Sequence, residues 1–295
     1  MTISVITPAY NRANLLVKAY DSLKKQTSKN FEWIIVDDGS EDDTAAVVEK
    51  FIEEKIIEIK FFKKENGGKH TAVNLGIKNA IGNLVLILDS DDWLTENAIE
   101  IIEKDWEKYQ RNDKICGLSY NKKVMNKNIP NKLDLETEII SNHIEYRYNQ
   151  EVLGDRAEVY RTNVMLKYPF PEIKGERFLS EAIVWNKIAY DYDTVYIGKD
   201  IYECEYLDGG LTSNSISTRV NNPKGAMLNY NLMMKKPFKM KLRIKYSILY
   251  NAFSNFAKVS FAERMKNENK IIIVLTKILG DVVYLKWKKY LKKGD

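Results

Sequence analysis

What most restricts this chain is the alternation of apolar strand segments with amphipathic helices over its first hundred residues. Ile3-Ser4-Val5-Ile6-Thr7 reads as a short strand stopped by Pro8, and residues 12–26 place Leu15, Leu16, Ala19 and Leu23 at helical spacing. Residues 31–36 form a second strand. Asp42 or Asp43 then caps a helix to about Glu53, and residues 56–62 alternate as a third strand. Beyond Asn66-Gly67-Gly68 a helix runs from Lys69 to about Ala80. Leu84-Val85-Leu86-Ile87-Leu88 is a continuous apolar run, as expected of a strand buried on both faces. Such alternation implies a mostly parallel sheet with right-handed crossovers, flanked by helices.

Later segments are less regular. Loops dominate residues 121–140, residues 152–161 and 196–206 read as strands, and a helix lies near 180–190. After about Asn221 glycine thins out and lysine–apolar helical patterns take over. The expected organisation is an α/β domain over 1–220, with halves 1–110 and 111–220, followed by a basic helical extension over 221–295.

Two cysteines, Cys116 and Cys204, exclude a disulfide scaffold and a four-cysteine zinc site, and two histidines exclude a three-histidine metal site. Any metal is therefore expected on oxygen ligands, which favours magnesium or manganese. The first residues lack the basic and apolar regions of a signal peptide, and no run of eighteen apolar residues occurs. The expected location is the cytoplasm, with reduced thiols. Charge is unevenly placed: of 46 basic and 41 acidic residues, 17 basic and 4 acidic ones lie from Lys224 onward. An acidic body thus carries a basic tail, which favours an anionic partner.

In an open parallel sheet, ligands bind beyond the carboxyl ends of the strands. Three polar loops follow strands here: Thr7-Pro8-Ala9-Tyr10-Asn11-Arg12, Asp37-Asp38-Gly39-Ser40 and Asp89-Ser90-Asp91-Asp92. The last packs three carboxylates into four residues. They repel one another unless a cation neutralises them, and a hard divalent ion would also take diphosphate oxygens. The alternative is an Asp-rich turn capping the next helix. An unpaired carboxylate at Asp37-Asp38 could accept a uracil imide N–H and ribose hydroxyls, or the turn could simply cap a helix. Tyr10 offers a face for a base and Arg12 a planar fork. Asn66 to Asn74 opens a helix after a glycine pair, where the backbone and Lys69 suit an anion.

In order along the chain, these motifs resemble those of the family 2 inverting glycosyltransferases with the GT-A fold, a Rossmann-like α/β architecture. The resemblance covers roughly residues 1–215. It rests on Ser4 to Asn11, on Ile34-Ile35-Val36-Asp37-Asp38-Gly39-Ser40, on Asn66 to Gly76, and on Leu86-Ile87-Leu88-Asp89-Ser90-Asp91-Asp92. It implies that Thr7, Pro8, Tyr10, Arg12, Asp38, Lys69, Asn74, Asp89 and Ser90 surround the nucleotide-sugar. Asp38 would hold the uracil, Asp89 would touch ribose or sugar, and Asp91 would ligate Mn2+ or Mg2+ on the diphosphate. Where many members carry an arginine, this chain has Val73, and Lys69 is expected to supply the charge.

Family members commonly place the catalytic base in a Glu-Asp pair opening a helix of the acceptor half. The matching stretch is Ser180-Glu181-Ala182, so Glu181 is the candidate base and Ala182 stands where the aspartate would be. Asp155 is the rival candidate; it could instead organise the acceptor pocket or end a strand. Residues 205–214, a glycine-bearing stretch, resemble a downstream loop of related bacterial polysaccharide enzymes that could close over the donor diphosphate; an ordinary surface turn is the alternative. The Lys-, Trp- and Tyr-rich tail suits an interfacial helix on anionic lipid, which would leave the protein peripheral on the inner membrane face. A helical subdomain or a homo-oligomer contact is the alternative. No nucleic-acid motif accompanies the charge.

The activity implied is transfer from a UDP-sugar to a saccharide or lipid-linked saccharide in bacterial surface-polysaccharide synthesis. A nucleotidyltransferase is disfavoured because Pro8-Ala9-Tyr10-Asn11-Arg12 is not a glycine-rich loop. A non-catalytic nucleotide- or glycan-binding partner of another transferase is the remaining alternative.

Overall fold

The structure is a computed structural model that describes residues 2–126, 137–152, 154–205 and 215–291. The predicted alternation appears as β1 (Ile3–Ala9), α1 (Leu16–Lys24), β2 (Phe31–Asp37), α2 (Thr44–Glu54), β3 (Ile59–Lys63), α3 (Lys69–Asn79) and β4 (Leu84–Ile87). There follow β5 (Trp93–Leu94), α4 (Ala98–Glu107), β6 (Ile115–Val124), β7 (Glu138–Ser141), a π-helical turn over Ile144–Asn149, β8 (Arg156–Arg161), α5 (Thr162–Lys167), α6 (Ala182–Ile188) and β9 (Asp193–Cys204). The C-terminal region is helical: α7 (Ser215–Asn221), α8 (Pro223–Met233), α9 (Met240–Phe256), α10 (Phe261–Arg264) and α11 (Lys270–Leu291).

One nine-stranded sheet runs in the order β3-β2-β1-β4-β8-β6-β9-β5, with β7 also on β9. The parallel arrangement expected from the alternation holds from β3 to β4. Beyond it the sheet is mixed, because β8 enters antiparallel between β4 and β6, while β6 and β9 run parallel. Pro8 does not stop β1, which continues to Ala9 in register with Asp37. Even-numbered residues of β1 face β4, as Ile6 O does in accepting Leu88 N–H, and the β1–β4 ladder ends at Ile6 and Ile87. The missing N–H of Pro8 would therefore point past the end of that ladder, where it leaves no bond unmade.

Two apolar layers hold the sheet. One face buries Val5, Trp33, Leu86, Val159 and Val195 under α1, α2 and α4, and the other buries Ile6, Ile34, Val85 and Tyr160 under α3, α5 and α6. A third cluster, with Tyr230, Met234, Phe238 and Phe253 of the C-terminal region, closes over Ile144 and Ala189. Glu176 joins the segment before α6 to that region: its buried carboxylate accepts the Lys224 and Gly225 N–H groups at 2.6 Å each, satisfying free donors that open α8. Both cysteines are buried free thiols, and burial pushes Cys116 up to about 12 and Cys204 to about 11.

Candidate active site

The strand directions bring the chemistry to one edge. The carboxyl ends of β1, β2, β4, β6 and β9 point the same way, and β8, running opposite, begins there. This edge carries Tyr10 and Arg12, Asp38, the Asp89–Asp92 turn, Lys122, Asp155 and Tyr202. The α3 and α6 N-termini bring Lys69 and Glu181 to the same edge, because Lys69 reaches across to both Asp89 and Glu181.

Asp38 is not the unpaired carboxylate that the sequence suggested. It is buried and accepts the Gly67 N–H at 3.0 Å, the Gly68 N–H at 2.7 Å and Lys64 Nζ at 2.6 Å. A carboxylate offers about four lone-pair positions, so three bonds leave one for a ligand. The local backbone makes this closure possible. Gly39 has φ +81°, and a Cβ there would lie 2.8 Å from Asn66 N. Gly68 has φ +96°, and a Cβ there would lie 2.0 Å from the Arg177 carbonyl oxygen. Gly68 thus seats the loop before α3 directly against the backbone of Arg177. The Tyr10–Arg12 loop is tied to the same turn: Asn11 N–H donates to Ser40 Oγ at 2.9 Å and Arg12 N–H to Thr44 Oγ1 at 3.0 Å. Tyr10 is exposed at the tip.

Lys69 Nζ lies 2.5 Å from Asp89 Oδ1 and 2.8 Å from Glu181 Oε1, so one cation couples the two halves of the fold. Burial works against its charge, but the two facing carboxylates outweigh burial and raise its pKa above an ordinary lysine's. Burial likewise opposes ionisation of Asp89, and the charges of Lys69, Lys122 and Arg12 outweigh it and lower its pKa. Asp92 behaves oppositely. Burial pushes it up to about 7, against the pull of Lys122 and of Tyr202, whose hydroxyl donates to Asp92 Oδ2 at 2.8 Å. Tyr202 also accepts the Asp89 N–H at 3.0 Å, and Lys122 Nζ sits 4.1 Å over its ring. β5 pairs with β9 immediately after, Trp93 opposite Glu203, so the acidic turn is pinned on both sides.

Two expected donor contacts are corrected. Thr7, with its neighbour Pro8, is buried inside β1, and its hydroxyl accepts the Trp33 indole N–H at 2.8 Å, so it faces the core. Asn74 spends its amide on Phe170 and Glu172: it donates to Phe170 O and Glu172 Oε1 at 2.9 Å each and accepts Phe170 N–H at 2.9 Å. It therefore holds the segment leading toward Glu181. Ser90 is buried within its turn. Asp155 is exposed at the entry to β8. The stretch expected to act as a lid lies, from Tyr206 to Asn214, outside the described residues.

Sequence reasoning missed Lys64, Lys122, Tyr202 and Glu158. Glu158 is half-buried in mid-strand on β8, opposite Ser119. Its strand neighbours Ala157 and Val159 enter the α1/α4 core and Tyr160 the α3/α6 core, so alternation turns Glu158 toward α3 and α6. Its carboxylate has no hydrogen-bond or ion-pair partner among the described residues. Burial pushes it up to about 7, with Lys122, Arg147 and Arg156 resisting and Glu181 adding to the rise.

Among the described residues no group of three His, Cys, Asp or Glu side chains is arranged to hold a cation. Lys69 and Lys122 bring positive charge to the Asp89-Ser90-Asp91-Asp92 turn, beside Asp89 and Asp92. Asp91 is half-exposed and its carboxylate has no partner among the described residues. A carboxylate of this kind beyond a strand end is a donor that would suit a magnesium- or manganese-type ion.

The profile of glycosyl transferase family 2 matches residues 4–167, more than half of the chain. The chain belongs to glycosyl transferase family 2. An uncharacterized glycosyltransferase of Rickettsia felis is 48% identical over 99 residues, covering 34% of this chain and 16% of its own length. The glycosyltransferase GlyA of Streptococcus pneumoniae is 40% identical over 108 residues, 37% of this chain and 15% of its own. This chain thus spans about one-sixth of the length of these relatives. The poly(ribitol-phosphate) beta-N-acetylglucosaminyltransferase TarP of Staphylococcus aureus is 25% identical over 285 residues, covering 91% of this chain and 85% of TarP. Among solved structures, S. aureus TarS 1-349 in complex with UDP-GlcNAc superposes with a TM-score of 0.65 at 19% identity, over 95% of this chain and 79% of that one. The Pyrobaculum calidifontis mannosyltransferase PcManGT, with GDP-Man and Mn2+, gives 0.56 at 15% identity over 96% and 86%. These similarities establish the GT-A-like fold.

Proposed function

We propose that this chain transfers a sugar, of hexosyl or N-acetylhexosaminyl type, from a UDP-sugar to a saccharide acceptor of a bacterial surface polysaccharide, with inversion at the anomeric carbon. The observation that carries this reading is the Lys69 bridge between Asp89 on the donor side and Glu181 on the acceptor side. A sugar reacting between a leaving diphosphate and an attacking hydroxyl needs those two sides held together. TarP, matched along most of this chain, supports an N-acetylglucosaminyl donor and a teichoic-type acceptor. The TarS complex supports UDP, and PcManGT supports a divalent cation.

In this reading Tyr10 and the remaining acceptor position of Asp38 receive the base, while Asp89 receives ribose or sugar. Lys69 and Arg12 face the charge that develops on the diphosphate. Asp91 holds Mg2+ or Mn2+, which supplies electrostatic stabilisation of the leaving group. Glu181 takes the acceptor hydroxyl proton. Lys69 Nζ lies 2.8 Å from Oε1, and Oε2 is the oxygen assigned to take the proton. Ala182 then needs no acidic replacement, because the base is the residue before it.

Glu158 is a second candidate base, favoured by its unpartnered, half-buried carboxylate on the same side. Glu181→Gln and Glu158→Gln distinguish them. A general base contributes about 10²–10⁴-fold. Glu181→Gln is expected to lose that much transfer while keeping UDP affinity, with Glu158→Gln close to wild type. The reverse pattern moves the base to Glu158.

A further inference from the structure

α11 is sealed on one side and bare on the other. Ile273, Thr276 and Gly280 pack on α9, where Thr276 bonds Ser247 at 2.8 Å and Asn251 donates to Ile273 O at 2.9 Å. Gly280 permits that approach, since a Cβ there would lie 2.4 Å from Asn251 Cβ. On the opposite side Ile271, Leu275, Ile278, Val282 and Leu285 recur at alternating steps of four and three, and they are 72, 76, 77, 57 and 61% exposed. That spacing keeps them in one continuous stripe. The next position of the repeat is Lys289, flanked by exposed Lys286 and Lys288, and exposed Lys270 stands at the other end. The nearby acids Asp281 and Glu268 are already engaged: Asp281, the acid of α11, is held by Lys277 at 2.6 Å and Asn255 at 2.8 Å, and Glu268 is held by Lys235 at 2.5 Å.

We infer that this face of α11 docks on the surface of an anionic lipid bilayer, with the stripe in the acyl–headgroup boundary and the terminal lysines among the headgroups. Charge complementarity selects this occupant. A second copy docked by the same face would bring the same apolar stripe and the same lysines, whereas an anionic headgroup layer neutralises both ends. The 22-residue helix is about 33 Å long, and its buried side is packed against α9 and so unavailable to lipid. It therefore lies in the interface plane and does not span the bilayer. No helix among the described residues is long and apolar enough to cross a membrane. The inference is independent of the catalytic reading, because it concerns a surface that shares no residue with the strand-edge site.

The test is co-sedimentation of the full chain with phosphatidylcholine vesicles, with and without phosphatidylglycerol, at low and high salt. The expected result is binding only to the anionic vesicles, weakened by salt. Each lysine near such a surface is worth about fivefold in partitioning, so Lys286→Gln with Lys288→Gln and Lys289→Gln should weaken binding roughly 100-fold. Leu275→Glu with Ile278→Glu should abolish it; both positions are exposed, and an unchanged circular dichroism melt would confirm that the fold persists. Equal sedimentation of wild type and the Leu275/Ile278 variant would overturn the inference. So would a wild-type dimer in sedimentation velocity that this variant dissociates while vesicle binding stays unchanged.

Discussion

Gly68→Ala tests whether the loop before α3 is locked against the Arg177 backbone. Gly68 has φ 96° and ψ 156°, a region that essentially only glycine occupies. A methyl group there would stand 2.0 Å from the Arg177 carbonyl oxygen and 2.6 Å from its carbon. Both are backbone atoms, so no side-chain rotation relieves the clash. Backbone strain of about 1–3 kcal/mol adds to overpacking of about 1–3 kcal/mol, giving an expected loss near 4 kcal/mol. Gly175 is the control: its φ is +86°, but a Cβ there meets nothing within 4 Å. Gly175→Ala should therefore cost strain alone, about 1–2 kcal/mol. Urea unfolding of the two variants gives the difference directly. At about 2–4 °C per kcal/mol, the Gly68 variant should also melt roughly 8–16 °C below wild type. Equal losses for both substitutions, or a loss under about 1 kcal/mol for Gly68→Ala, would refute the close contact between the loop and Arg177.

Tyr202→Phe removes the hydroxyl that accepts Asp89 N–H and donates to Asp92. It should cost about 1–3 kcal/mol in urea unfolding and weaken donor affinity measured by calorimetry. Stability should also depend on pH through Asp92. Its folded pKa of about 7 lies above the unfolded value of 3.8, so its contribution is most favourable at low pH and is lost as pH rises from about 4 to 7. Asp92→Asn should remove that part of the dependence and stabilise the protein by about 1–3 kcal/mol at pH 8 relative to wild type; parallel pH–stability curves would contradict the assignment.

Local periodicity carried the first hundred residues. The 15–23 helical spacing, the buried run at Leu84–Leu88 and the polar turn after each strand lie within short windows, so they were legible in the sequence. What was not legible depends on long-range register. Tyr202 meets Asp92 across 110 residues and Asn74 meets Phe170 across 96, and no local pattern announces such partners. Glu158 read as an ordinary strand residue because its environment is made by Lys122 on β6 and Glu181 before α6. Asp38 was identified as important, but its partners Gly67 and Gly68 reach it only through the φ of two glycines. The two-residue β5 is too short for any periodicity to reveal it. The lysine–apolar alternation of the tail was visible, whereas the side of α11 left bare is set by where Gly280 packs.

The most direct test of the central claim is nucleotide release from a panel of UDP-, GDP- and dTDP-sugars by the wild-type chain and by Asp91→Asn, with manganese and then with EDTA. The account predicts slow release of UDP from one UDP-sugar, faster with a saccharide acceptor, lost with EDTA and lost in Asp91→Asn. A donor that binds tightly but never turns over with any acceptor, or turnover unaffected by both EDTA and Asp91→Asn, would contradict it.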